Sequence, residues 1–202
     1  MNVKRYKAVY TFFYYLFWPF FNLFHPQKPI HAERVPEGAA LLCPNHTQAC
    51  DPFLVAFAVK LKNRPQVMAK EELMHLPFLG WLMKNAGVFG VGRGKADMSA
   101  IKRSIKALKE GEKLLVFPEG TRSKDGTIGE GKSGVSMIAI HAGVPIVPIY
   151  MPPKKKWFRR TPVVFGEPYV PTVAGKRGTA EEYDAIARDL MARIAALEAE
   201  AK

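Results

Sequence analysis

Six short apolar runs punctuate this chain: "AALLC" (39–43), "QVMA" (66–69), "GVFGV" (87–91), "KLLVF" (113–117), "PIVPIY" (145–150) and "PVVF" (162–165). Their length is that of strands, and their near-continuous apolar character is that of strands covered on both faces. Helical patterns over 52–62, 71–85, 96–110, 133–142 and 180–201 lie between or after them. Such alternation predicts βαβ units, so the expected fold class is α/β, a mostly parallel central sheet flanked by helices. At 202 residues and 48% hydrophobic composition the chain is long enough for one full core. Residues 30–202 are expected to form that domain, with residues 1–29 as a separate N-terminal segment. Open sheets of this kind bind ligands beyond the carboxyl ends of their strands. Three loops there carry unusual chemistry: "PNHTQACDP", "GRGKAD" and "PEGTRSKDG".

The N-terminal segment contains "VYTFFYYLFWPFFNLF" (9–24) behind Lys4, Arg5 and Lys7, without the small-residue cleavage site of a signal peptide. It is shorter than the ~20 residues of a bilayer span. Pro19 is expected to break it, and Tyr10, Tyr14, Tyr15, Trp18 and Asn22 suit the headgroup region. An interfacial helix is the expectation, against a helix folded over the core or a true span. Thirty Lys and Arg against 18 Asp and Glu make the chain +12, so its partners are expected to be anionic: nucleic acid, phosphorylated metabolites or acidic lipid. "KKKWFRR" (154–160) sets five cations around Trp157 and Phe158. It reads as a solvated loop, a single-strand contact or a lipid contact; beside the aromatic N-terminus, lipid is favoured and no nucleic-acid partner is expected. Cys43 and Cys50, without a C-x-x-C pair, read as free thiols in a reducing cytoplasm.

His46 precedes Asp51 by five positions. At about 100° per residue a helix would set them roughly 140° apart, and a strand would send them to opposite faces. They meet only if the chain turns. Asp51 before Pro52 also reads as a helix N-cap, and His46 alone as a loop histidine. Together they read as a base whose tautomer is held by a carboxylate. Cys50 is a competing nucleophile, disfavoured by the adjacent Asp51 charge. The remaining histidines, His25, His31, His75 and His141, are scattered, and no metal site is expected. In "FPEGTRS" (117–123), Pro118 and Gly120 form a turn from which Glu119, Thr121 and Arg122 project, while Arg93 in "GVGRG" offers a second guanidinium for phosphate. "GTIGEGKS" (126–133) satisfies the phosphate-loop pattern in letters, but no strand leads directly into it. Lys132 is left as an anion contact near the following helix.

With "NHTQACD", "GVGR", "FPEGTRS" and "GVPIVPI" in this order, the chain from about residue 30 to 170 resembles the glycerolipid acyltransferases, in particular the bacterial 1-acylglycerol-3-phosphate acyltransferases. The resemblance implies that His46 deprotonates the free hydroxyl of a lysophosphatidate and that Asp51 orients His46. The product would be phosphatidic acid. It also implies that Lys70, Arg93 and Arg122 hold the substrate phosphate and that Glu119, in the Glu119-Gly120-Thr121-Arg122 turn, contacts the glycerol. Pro145 and Pro148 would shape the strand behind the site. No cofactor is implied; acyl-CoA or acyl-carrier protein would be co-substrate, and the membrane phospholipid the working surface, at the cytoplasmic face. Other lysolipids and glycerol-3-phosphate stay open as acceptors. Two different readings remain: a nucleotide-dependent enzyme built on "GTIGEGKS", and a non-enzymatic binder of acidic lipid or nucleic acid.

Overall fold

The apolar runs pair side by side into one sheet. The computed structural model describes residues 3–92, 97–175 and 177–201, with side chains from Tyr6 onward. Its strands are β1 (Gln27–Ile30), β2 (Ala40–Pro44), β3 (Pro65–Lys70), β4 (Val88–Val91), β5 (Lys113–Leu115), β6 (Ile146–Tyr150) and β7 (Thr161–Phe165). They lie in the order β1-β7-β6-β2-β5-β3-β4, every neighbouring pair parallel except β6 with β7. β2, β5 and β6 are buried at every position, which is why their sequences show no polar alternation. The two-residue side-chain period divides them between two cores. Leu41, Cys43, Leu114 and Ile146 meet helices α4 (Met98–Lys109), α5 (Gly134–Ala142) and α6 (Ala180–Ala196). Ala40, Leu42, Leu115 and Val147 face α2 (Asp51–Ala58) on the other side.

Several boundaries differ from the sequence expectation. The Pro-rich joint holds β1, an edge strand that straddles the expected division at residues 29 and 30; Pro29 is tolerated because an edge strand bonds on one side only. Helix 52–62 ends as α2 at Ala58, followed by a 3-10 turn at Leu61–Asn63. Helix 71–85 divides into a 3-10 segment, Glu71–His75, and α3 (Leu79–Asn85). Leu76, held extended by the ring of Pro77, separates the two. β5 stops at Leu115, two residues short of the end of "KLLVF", although the Val116 N–H still donates to the Leu42 carbonyl of β2 at 3.0 Å.

The N-terminal aromatic run is one continuous helix, α1 (Val3–Phe24), and Pro19 does not break it. A proline deletes one helix hydrogen bond, here that to the Tyr15 carbonyl. Ring contacts on both sides of it, Phe13 on Phe17 at 5.7 Å and Phe20 on Phe24 at 4.6 Å, hold the flanking turns. One face docks on the domain. Tyr6 is buried and its hydroxyl donates to Glu112 at 2.7 Å, Lys7 pairs with the same carboxylate at 2.7 Å, and Tyr14 and Phe21 pack on Phe57. The opposite face is apolar yet exposed, with Phe12 62% and Phe20 67% accessible. Among the described residues no helix is long and apolar enough to cross a membrane.

At the carboxyl edge of the sheet, Asn45 extends the β2–β6 ladder with its side chain. Its Nδ2 donates to the Met151 carbonyl at 2.9 Å, and its Oδ1 accepts from the Met151 N–H at 2.8 Å. Both residues are buried. Asn45→Ala therefore strands a donor and an acceptor away from water, and should lower the unfolding free energy by about 2–4 kcal/mol. Urea denaturation followed by circular dichroism measures this; an unchanged midpoint would show that the two loops do not depend on Asn45.

Candidate active site

Beyond β2 the chain turns so that His46 and Asp51 meet, with His46 Nδ1 3.0 Å from Asp51 Oδ2. Asp51 opens α2, but it caps the loop before the helix and not the helix itself. Its Oδ2 accepts from the N–H groups of Thr47 at 2.7 Å and Gln48 at 2.8 Å. These bonds curl residues 46–51 around the carboxylate and make a five-residue spacing workable. The Asp51 side chain is fully buried. Burial would raise its carboxyl; the His46 hydrogen bond, the Lys155 charge and the Gln48 N–H outweigh that and hold it below its usual range. Asp51 is therefore an ionised orienting group.

The His46 ring lies flat on Phe117, centroids 3.8 Å apart, and retains 16% exposure. Nδ1 is engaged by Asp51, while Nε2 has no protein partner among the described residues. A neutral imidazole whose Nδ1 carries the proton presents an unprotonated Nε2, the form needed to accept a proton.

The loop after β5 grips the main chain of His46. Gly120 closes a turn back to the Phe117 carbonyl with φ 68°, a conformation suited to glycine, and Pro118 sets the preceding bend. Glu119 thus points inward. Its Oε1 accepts from the His46 N–H at 2.8 Å and its Oε2 from the Gly129 N–H at 3.3 Å, while the Ser123 N–H donates to the His46 carbonyl at 2.9 Å. Burial raises the Glu119 carboxyl, and the two main-chain donors offset only part of this. In the structure Glu119 braces the histidine loop, whereas the resemblance implied a contact with glycerol.

The other expected residues line the same edge. Thr121 and Arg122 are exposed and have no protein partner among the described residues. Lys70 ends β3, one strand beyond β5, where its Nζ pairs with Glu72 at 2.7 Å. Arg93, expected to be the second phosphate-binding guanidinium, lies outside the described residues. Asp97 beyond it caps α4 through Ser99 and Ala100 and also binds the Gly92 N–H at 2.9 Å. Cys50 is half-buried, and burial together with the Asp51 charge pushes its thiol up, away from the thiolate a nucleophile needs. Among the described residues no group of three or more His, Cys, Asp or Glu is placed to share a metal ion.

"GTIGEGKS" lacks the geometry of a phosphate loop. No strand runs into it, and two of its main-chain donors are spent on the fold: Gly129 on Glu119, and Lys132 on the Pro118 carbonyl at 2.8 Å. Two residues that shape the site were missed from the sequence. Asn45 stood in the quoted motif without a role, and Lys155 was hidden among three consecutive lysines. Its Nζ lies 2.8 Å from Asp51 Oδ1, both side chains at 0% exposure.

Comparison with known proteins agrees with this geometry. The profile of the family described as Acyltransferase matches residues 28–152, which include the His46–Asp51 pair and the 117–123 turn. The 1-acyl-sn-glycerol-3-phosphate acyltransferase BAT2 of Brassica napus is 35% identical over 107 residues, covering 52% of this chain and 30% of that protein. The 1-acyl-sn-glycerol-3-phosphate acyltransferase of Streptococcus pneumoniae is 36% identical over 114 residues, 56% of this chain and 41% of the relative. The aligned regions thus span less than half the length of either relative. The crystal structure of the 1-acyl-sn-glycerophosphate (LPA) acyltransferase PlsC from Thermotoga maritima shares the fold, with a TM-score of 0.64 at 23% identity, covering 96% of this chain and 78% of that one. With a family profile matched over more than half of its length, laid on this sheet and this histidine–aspartate loop, the chain belongs to the acyltransferase family.

Proposed function

We propose that this protein transfers an acyl group from a thioester to the free sn-2 hydroxyl of 1-acylglycerol-3-phosphate, forming phosphatidic acid. The observation that carries the reading is a histidine whose Nδ1 is held by a fully buried, ionised Asp51 and whose Nε2 is left free. An alcohol is a poor nucleophile at neutral pH, and a positioned base contributes typically ~10²–10⁴ in rate. His46 Nε2 takes the hydroxyl proton as the oxygen attacks the thioester carbonyl. The C–O bond forms, the C–S bond breaks, and the departing thiolate receives the proton from His46. Asp51 stabilises the imidazolium in between. The relatives are named for 1-acyl-sn-glycerol-3-phosphate, which supports lysophosphatidate as acceptor; the thiol carrier is CoA or acyl-carrier protein.

Arg122, exposed and without a protein partner among the described residues, one residue before the Ser123 bond to His46, supplies a guanidinium fork for the substrate phosphate. Arg93 is proposed as a second guanidinium for the same phosphate. Lys70 contributes a third cation once its Glu72 contact yields.

The substrate's bilayer explains the exposed aromatic face. The outer side of α1 continues into Trp157 and Phe158, which lean on Phe24 at 5.8 and 5.3 Å, and the Phe158 N–H donates to the Phe24 carbonyl at 2.8 Å. Lys154, Lys156, Arg159 and Arg160 surround these rings, exposed and without acidic partners among the described residues. An apolar face rimmed by cations fits the interface of an anionic leaflet. The protein is accordingly assigned to the cytoplasmic membrane surface as a peripheral enzyme.

Four variants test the reading. His46→Ala should fold normally and lose at least about 10²-fold in acyl transfer, assayed as free thiol released from acyl-CoA with lysophosphatidate. Cys50→Ser should keep most activity; turnover that survives in His46→Ala and dies in Cys50→Ser would replace the general base with a covalent mechanism. Arg122→Ala should raise the apparent KM for lysophosphatidate far more than that for the acyl donor, as expected when a ground-state contact is lost. The reverse pattern would assign Arg122 to the donor's phosphates. Finally, Phe12→Ser with Leu16→Ser and Leu23→Ser should weaken sedimentation with vesicles while leaving the urea midpoint unchanged, because these side chains are exposed. Wild-type binding should be stronger to anionic than to neutral vesicles and fall as salt rises. Equal sedimentation of the triple variant would remove α1 from the membrane contact.

A further inference from the structure

Of the three lysines in "KKKWFRR", the outer two are exposed and the middle one is turned inward. An ammonium does not enter a protein interior without a partner. The turn begins where Asn45 fastens Met151 to the end of β2. Thr47 Oγ1 and Gln48 Nε2 then donate to the Pro153 carbonyl at 3.4 and 3.3 Å, which lays residues 151–155 along the histidine loop. Lys155 ends with Nζ 2.8 Å from Asp51 Oδ1 and donates to Thr47 Oγ1. The Asp51 carboxylate is thus shared: Oδ2 serves His46 and two N–H groups, while Oδ1 faces the ammonium.

We propose that Lys155 is a positioning residue of the reaction, which acts through Asp51 to aim the carboxylate at His46 and to limit how strongly that carboxylate stabilises the imidazolium. The inference rests on the reading of His46 as general base. It concerns a residue beyond the 28–152 segment that the family profile matches. Two effects follow from the geometry. With Oδ1 tied to Lys155 and Oδ2 to the Thr47 and Gln48 N–H groups, the carboxylate cannot rotate away from Nδ1. The positive charge also offsets part of the negative field that His46 experiences, so the imidazolium formed in the first step gives its proton to the leaving thiolate more readily. The other titratable groups against the pair are few. Glu119 approaches from the β5 loop through the His46 N–H, and Cys50 adjoins Asp51 at the start of α2. Neither carries a positive charge, so Lys155 is the cation that balances Asp51.

The test compares Lys155→Met, Lys155→Arg, Asp51→Asn and the double variant Asp51→Asn/Lys155→Met with wild type and His46→Ala, in full-length protein. In Lys155→Met, kcat should fall about 10- to 100-fold, the size typical of partners that orient an active group, with both KM values nearly unchanged. The acidic limb of the kcat/KM profile should move to higher pH, because the carboxylate then stabilises the imidazolium unopposed. Lys155→Arg should restore most of kcat and return the limb. In the Asp51→Asn background, Lys155→Met should cause no further loss. The His46 ring-proton NMR titration should shift upward in Lys155→Met whether or not the protein turns over. An inactive wild type with that NMR shift would overturn the general-base reading and keep the Lys155–Asp51–His46 coupling. An active wild type whose Lys155→Met variant keeps its kcat, pH limb and NMR titration would leave Lys155 a structural residue only. Should Lys155→Met fail to fold, Lys155→Arg and the double variant, which leaves no unpaired buried carboxylate, decide the question by the same readouts.

Discussion

The site is organised by one expensive act, the complete burial of the Asp51 carboxylate. A carboxylate taken out of water is stable only if its oxygens find donors or charges. Here Oδ2 receives the Thr47 and Gln48 N–H groups and His46, and Oδ1 receives Lys155. Those partners come from two separate loops, so satisfying one anion draws the ends of β2 and β6 into a single construction. The β5 loop then locks it from the other side through Glu119 and Ser123. His46 is consequently held at its main-chain N–H, its carbonyl, its Nδ1 and its ring face. Only Nε2 is spared.

The parallel sheet makes this convergence cheap. β6, β2 and β5 are neighbours and run in the same direction, so the loops that follow them leave from one edge. β3 and β4 extend that edge, bringing Lys70 to the same side. Elements distant in sequence thereby meet through the loops that follow adjacent strands, while the strands β2, β5 and β6 are buried along their whole length. His46, Asp51 and the Glu119 brace sit beyond the strand ends, in the loops and at the start of α2.

α1 shows the opposite division of labour. Its docked side is held by buried Tyr6 and by Tyr14 and Phe21 against Phe57, and its outer side is nearly as aromatic as its inner one. A helix packed on a water-soluble domain ordinarily turns a polar face outward. The exposed rings here meet Trp157 and Phe158, placed by the same loop that sends Lys155 inward. One loop therefore reaches both the aromatic surface and the buried anion of the site, separated by two residues.

Much of this was legible in the chain. Short apolar runs dictated a parallel sheet because β2, β5 and β6 are covered on both faces, and the five-residue interval from His46 to Asp51 demanded a turn because neither regular structure brings such side chains together. Both conclusions follow from local geometry, which depends on residues near in sequence. What escaped depended, Pro19 apart, on partners more than 70 residues away. β1 has no strand-like composition and exists because β7 offers it an edge; Pro19 is carried through a helix whose turns are held by ring contacts; Glu119 became a brace because the His46 N–H lay in reach. Above all, nothing in "KKK" distinguishes its middle lysine. The sequence by itself determined the sheet, the edge that holds the chemistry and the pair His46–Asp51. Only the tertiary structure decided which cation would balance Asp51, because that choice depends on where the end of β6 meets the end of β2, a distance written in no local pattern.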